Sequence, residues 1–286
     1  MLQLLHSLSV SPARARLRSV LIGTILLSAI AGSGRPVLSQ TDYYNTDAGR
    51  PMQIEDASPV ERRAFEIQAA PLRFERSGSG AYRWEIEPEV AYGIFPRTHV
   101  ELGAPFALAV IDADGEKDAG LSGIHISAFH NLNSETSIPA LAIAAGVLLP
   151  VGLLAPDNAY FSVKGVLTRT FTWARFHVNG EYTFGSRLAP GDVESAGAAE
   201  LSSWLGGVAV DRAFPLEALL VSGEVYARES LHQGEALQWN TGVGLRYQLD
   251  PRVNIDGGIG RRLTGDDRGW YITFGSAYAV GLPWNR

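Results

Sequence analysis

From residue 65 onward, apolar and polar residues alternate with a period of two, in segments of about 10 to 14 residues separated by turn-forming residues. Trp239, Thr241, Val243, Leu245, Tyr247 and Leu249 share one face, and Asn240, Gly242, Gly244, Arg246 and Gln248 share the other. The next segment repeats this, with Val253, Ile255, Gly257 and Ile259 opposing Asn254, Asp256, Gly258 and Gly260, and Trp270, Ile272, Phe274, Tyr278 and Val280 continue it. A helix would mix these two sets, so the period predicts strands.

The same reading places strands near 65–76, 81–94, 98–111, 119–130, 138–150, 158–171, 174–184, 200–213, 217–229, 237–249, 252–262 and 269–280. Connections alternate in length. Short ones fall at Phe95–Thr98, Thr170–Trp173, Ala213–Leu216 and Asp250–Pro251; longer polar ones fall at Asp112–Asp118, Gly185–Ala199, Ser230–Ala236 and Thr264–Arg268, with Asn131–Ser137 as the exception. Short turns on one rim and longer loops on the other are the pattern of an outer-membrane barrel with short turns and termini in the periplasm. The fold expected is all-β: a transmembrane antiparallel β-barrel of about 12 strands, occupying 65–286. The longest loop, Ser186–Glu200, then lies outside.

A soluble β-sandwich also alternates. Two features oppose it: long apolar faces such as Leu141, Ile143, Ala145, Val147 and Leu149, and Trp84, Trp173, Trp204, Trp239, Trp270 and Trp284 close to strand ends, where an interfacial girdle sits.

The N-terminal part follows other rules. Arg14, Arg16 and Arg18 precede an apolar stretch from Val20 to Ala31, and Ala29 and Ala31 form a small-residue cleavage pattern, so 1–31 reads as a signal peptide. About a dozen apolar residues span a bilayer poorly, which disfavours a membrane anchor. Residues 32–64, including TDYYNTDAGRPMQIEDASPVERR, are polar and proline-punctuated, without sustained period. They read as a periplasmic N-terminal arm or a plug-like lead-in.

Composition narrows the function classes. The chain has 31 glycines and 19% charged residues, a balance suited to many tightly packed strands with a lipid-facing surface. Its formal net charge is −6, and loss of the three N-terminal arginines makes the remainder more acidic still, so nucleic acid is excluded as a partner. Cysteine is absent, which removes disulfides, thiolate metal sites and cysteine nucleophiles.

Several segments then point to a family: EPEVAYGIFPRTHVELGAPF, GVLLPVG, FHVNGEYTFG, SGEVYA, NTGVGLRYQLDPRVNIDGGIGRRL and GWYITFGSAY. The chain resembles the outer-membrane transporter family named for the MetA pathway of phenol degradation, over about Phe65 to Leu282. The resemblance implies an outer-membrane channel or transporter, in some relatives associated with uptake of aromatic compounds. It brings no catalytic motif.

With apolar faces on lipid, the opposite faces line the lumen. This assigns Glu85, Glu87, Glu89, Glu101, Lys164, His177, Glu181, Glu224, Arg246 and Asp256 to a polar, somewhat acidic interior. Lys164 and Glu181 are equidistant from one short turn, Arg246 and Asp256 from another, so each pair is directly opposed across a hairpin. Such pairs either fill a narrow barrel or shape the field of a pore. Glu85, Glu87 and Glu89 stack three like charges on one face. That strip reads as cation selectivity or metal binding, or more simply as a solvated strand end neutralised by neighbouring arginines.

Other candidates are weaker. His125-Ile126-Ser127 invites comparison with an outer-membrane phospholipase that carries a His-x-Ser pair, yet Ile124 and Ile126 take the lipid side, and Ala128-Phe129 stand where Asn-Gly should follow. His130-Asn131 and His177-x-Asn179 lack a spaced second ligand. Asp112 to Gly115 echoes a calcium loop without its remaining ligands. Gly257-Gly258-x-Gly260 sits inside a strand, so it is no nucleotide loop; it permits curvature or close approach of lumen groups.

The reading is a barrel that passes small solutes passively, with no cofactor, no metal and no enzymatic chemistry. Its partners are outer-membrane lipid, a small-molecule solute, and the barrel-assembly and periplasmic chaperone machinery during biogenesis. The alternatives are a closed structural or ligand-binding barrel and, further off, a lipid-hydrolysing one.

Overall fold

The computed structural model describes residues 46–110, 117–188, 201–265 and 268–281. The expected signal peptide, the Asp112–Gly115 motif, Trp284 and most of the Ser186–Glu200 loop lie outside the described residues. Fourteen strand segments run in chain order: β1 (Ala64–Arg76), β2 (Tyr82–Phe95), β3 (Thr98–Gly103), β4 (Phe106–Val110), β5 (Lys117–Leu121), β6 (Ile124–Asn133), β7 (Ala140–Leu149), β8 (Tyr160–Thr170), β9 (Arg175–Phe184), β10 (Ser202–Ala213), β11 (Leu219–Ser230), β12 (Gln238–Asp250), β13 (Val253–Arg262) and β14 (Trp270–Gly281).

All strand pairings are antiparallel, and β1 bonds both β14 and β2, which closes the sheet. Closure removes the edges over the body of the barrel, the condition for crossing hydrocarbon with strands; among the described strands β5 pairs on one side only, with β4. The fourteen segments make twelve spans. β3 and β4 are two halves of one span, bonded to successive parts of β2; β5 and β6 are two halves of the next, bonded to β4 and β3. The continuous strands expected over 98–111 and 119–130 are therefore interrupted. Pro105 has no N–H for the ladder, and its carbonyl instead accepts from both Ser122 N and Ser122 Oγ, at 2.9 and 3.1 Å. A side chain at Gly123 would run into Leu148.

Faces follow the alternation. Val243, Leu245, Leu249, Ile259, Ile272 and Phe274 point to lipid, while Asn240, Arg246, Asn254, Asp256, Tyr271 and Thr273 are buried inward. Aromatic groups mark both rims. Phe74 packs on Trp84 and Trp270 at the loop rim, with centroids 4.6 and 5.3 Å apart; Trp173 and Phe171 pack on Phe176 at the short-turn rim.

The N-terminal segment corrects one expectation. Over 46–62 it is not an arm lying in the periplasm: it occupies the lumen. Thr46 and Asp56 close it into a loop, through Asp56 N to Thr46 O at 3.1 Å and Thr46 N to Asp56 Oδ2 at 3.2 Å. Met52 and Ile54 pack with Leu205, Ala209 and Tyr226 in a buried apolar cluster, and Ala57 joins Phe129, Ala142 and Val166 in another. The segment leaves at the short-turn rim, where Arg63 N donates to Gly93 O at 2.7 Å, and runs into β1.

Candidate functional site: the plugged lumen

The plug is short of its own hydrogen bonds, so the barrel wall satisfies its backbone. Glu224 Oε2 accepts from Gln53 N and Ile54 N at 2.9 and 3.0 Å, while its other oxygen accepts from the Tyr271 hydroxyl at 3.2 Å. Asn179 brackets Glu55, accepting from its N–H at 2.8 Å and donating to its carbonyl at 2.9 Å. Thr168 Oγ1 accepts from Ala57 N, His99 Nδ1 accepts from Val60 N, Asn131 Nδ2 donates to Ala57 O and Thr273 Oγ1 donates to Pro51 O, all within 3.0 Å.

Charges repeat the pattern. Lys164 and Glu181 are directly opposed, as are Arg246 and Asp256. Neither pair is self-contained. Lys164 lies 3.7 Å from Glu181 but 3.1 Å from Glu55 of the plug. Arg246 lies 3.4 Å from Asp256 and 3.1 Å from Asp47, and donates to Arg50 O. Arg50, fully buried, reaches Asp47 at 2.6 Å and Asp256 at 3.3 Å. A buried guanidinium is tolerable only where carboxylates surround it, and this one has them.

A second network holds Asp56. Arg175 grips Asp211 with two bonds of 2.9 and 2.7 Å and reaches Asp56 at 3.4 Å. His177 spans Thr168 and Asp211, at 3.0 and 3.1 Å. Of the ten lumen candidates, His177, Glu224, Arg246 and Asp256 thus meet the plug or the groups holding it, and Lys164 meets it directly. Arg175, Asp211 and Thr168 were not singled out from the sequence, and Asn179 only as the companion of His177 in a motif without a second metal ligand, although Arg175 and Asn179 lie two residues either side of His177 on the same face.

Glycines on the inner wall record where the plug lies. A Cβ on Gly207 would come 2.7 Å from Ile54 Cδ1, one on Gly244 would come 2.8 Å from Pro51, and one on Gly258 would collide with the Pro51 carbonyl. The Gly257-Gly258-x-Gly260 run is thus a place of close approach, and what approaches Gly258 is plug backbone.

Beside the plug remains a cavity of about 260 Å3, lined among others by Glu85, Glu87, Glu89, Glu101, Lys164 and Glu181. Around it, His99 Nε2 meets Glu101 Oε1 at 2.9 Å and Ser127 Oγ donates to the other Glu101 oxygen. His125 Nδ1 lies 3.6 Å from Glu87. Ser127 is therefore bound to a carboxylate and not to His125, so the His-x-Ser pair does not form a base-activated hydroxyl.

Comparison with known proteins agrees with this architecture. The family model described as "Putative MetA-pathway of phenol degradation" matches residues 90–280, from β2 to β14 and without the plug. No curated protein matches by sequence. Among solved structures, an outer membrane channel from Pseudomonas putida F1 is similar with a TM-score of 0.53 and 11% identity, covering 82% of this chain and 100% of that one. The KdgM porin is similar with a TM-score of 0.45 and 12% identity over 74% of this chain and 98% of its own. The CymD monoaromatic hydrocarbon channel gives 0.44 and 8%, over 79% and 90%. At 11% identity the likeness to the Pseudomonas putida F1 channel is one of fold, an outer-membrane β-barrel.

Proposed function

This chain belongs to the MetA-pathway of phenol degradation family, and from that premise we propose that it is an outer-membrane channel for passive passage of small solutes, gated by its own 46–62 segment. The observation that carries the reading is the acidic cavity of about 260 Å3 left between plug and wall. A dry cavity of about 150 Å3 accommodates benzene, so the space here suits a solute of one ring or a few polar groups. The carboxylates along it favour cations or hydrogen-bonding solutes over anions. Movement of the plug would widen the path for larger or aromatic compounds, the class associated with the family.

No covalent chemistry is assigned to the barrel, because Ser127 and His125 are each engaged by a different glutamate. Biogenesis would use periplasmic chaperones and the barrel-assembly machinery, as for any exported chain of this fold.

The second reading, a permanently closed structural or binding barrel, draws on the number of wall contacts that seat the plug. Planar-bilayer recording separates the two. A channel gives discrete steps whose cation preference falls when Glu85, Glu87 and Glu89 are all changed to Gln. A correctly folded barrel that stays silent, both intact and with residues 46–60 deleted, would overturn the channel reading.

A further inference from the structure

The three glutamates of β2 differ in their company. Glu85 is directly opposite Arg73 of β1. Glu87 and Glu89 also line the cavity, where Lys164 is engaged by Glu55 and Glu181, and His99 by Glu101. Among the described residues, Glu87 has the approach of His125 at 3.6 Å, and Glu89 has no hydrogen bond or ion pair. Two carboxylates with ligand atoms within 4.8 Å of one another repel, and a positive charge between them relieves the repulsion.

The backbone leaves a place for one. Glu89 of β2 is in register with Gly103 of β3, and Gly103 with His125 of β6, so one row across three strands reads carboxylate, bare backbone, imidazole. A Cβ on Gly103 would stand 2.6 Å from Glu87 Oε1. Any other residue there would fill the space in which the three side chains meet. One ligand atom from each of Glu87, Glu89 and His125 lies within 4.8 Å of the other two.

We infer that Glu87, Glu89 and His125 form a binding site for one first-row divalent cation, such as Zn2+, on the cavity wall. The donor set, one imidazole nitrogen and two carboxylate oxygens, suits such an ion, and bonds of about 2.0 to 2.2 Å would place the ligands about 3 to 4 Å apart after small side-chain rotations. The cavity supplies water for the remaining coordination position, so the site stays open to solutes. The inference does not depend on whether the barrel conducts.

The test uses the full chain, purified in detergent, stripped with chelator and checked for heat-modifiable migration. Zn2+ binding is measured by equilibrium dialysis with metal analysis, alongside the change in unfolding temperature on adding Zn2+. One Zn2+ per barrel is expected, with affinity falling at least about tenfold in His125→Ala and in Glu89→Gln. Gly103→Ala, which leaves every ligand in place but occupies the space between them, should weaken binding as well. Failure of the wild type to bind Zn2+ stoichiometrically, or equal binding by all folded variants, would overturn the site. Should the ligand variants not fold, the wild-type stoichiometry and Gly103→Ala decide.

Discussion

Glu224, in the middle of β11, holds the backbone N–H of Ile54 at 3.0 Å across 170 residues of chain, and the same oxygen also takes the N–H of Gln53. A wall carboxylate thus stands in for the sheet or helix partner that the plug lacks. Glu224→Ala leaves two buried donors unsatisfied, each costing about 1 to 3 kcal/mol. Every 1.4 kcal/mol is tenfold in the seating equilibrium. Bilayer recordings should show open probability rising by at least an order of magnitude while gel migration stays heat-modifiable. Unchanged conductance would remove Glu224 as an anchor.

The inner-wall glycines give a steric version of the same test. Gly258→Ala puts a methyl group onto the Pro51 carbonyl, and Gly244→Ala brings one within 2.8 Å of the Pro51 ring. Both should dislodge the plug and expose 46–62 to protease in intact proteoliposomes. Gly165→Ala and Gly180→Ala have nothing within 4 Å of the added carbon and should leave both cleavage and conductance at wild-type levels. Equal protease sensitivity in all four variants would show that the fit at Pro51 does not hold the segment.

These two sets of positions also mark what the sequence could disclose. Period two identified the faces, and counting outward from short turns located Lys164 opposite Glu181 and Arg246 opposite Asp256, because strand register follows from turn position. It left a plug as one of two readings of the N-terminal segment and did not disclose how it is held. Residues 46–62 have no period, and their anchors are dispersed over β3, β6, β8, β9, β11, β12, β13 and β14, each looking like ordinary polar lining. Two traces were present. Met52 and Ile54 are apolar within a polar run, and glycines at 207, 244 and 258 fall on lumen positions where a narrow empty barrel would have larger side chains. The broken spans at Pro105 and Ser122 were obscured for another reason: alternation continues on either side of each break, so a continuous strand explains the pattern equally well.

Arg50 offers a test of the charge network. Its removal, as Arg50→Met, deprives Asp47 and Asp256 of a cation, and breaking a buried pair in this way costs about 3 to 5 kcal/mol. Arg246 still reaches both carboxylates, so the wall should fold while the plug is released. Pairing Arg50→Met with Asp256→Asn should recover part of the loss, since it removes one of the stranded charges. A double variant at least as leaky as the single one would argue that Arg50 acts through packing, not through Asp256.

Acid gives the last prediction, and its sign comes from the plug. Burial pushes the Glu55 and Asp56 carboxyls up, even though Lys164 and Arg175 act in the opposite direction. In the unseated, hydrated segment both would return to the ordinary range near 4. An acid whose pKa is higher in the seated state binds protons more readily there, so lowering the pH favours seating. Asp47 behaves oppositely: burial raises it, but Arg50 and Arg246 together outweigh burial and hold it below the usual range. Its contribution is present in full above about pH 4 and is lost only as pH falls through that lowered value. On lowering the pH from 7 toward about 4, then, Asp47 changes nothing and Glu55 and Asp56 tighten the plug. Open probability should fall over this interval, and the fall should flatten in a Glu55→Gln, Asp56→Asn variant. A channel that opens as the pH is lowered over this interval would mean that groups outside the plug control the gate.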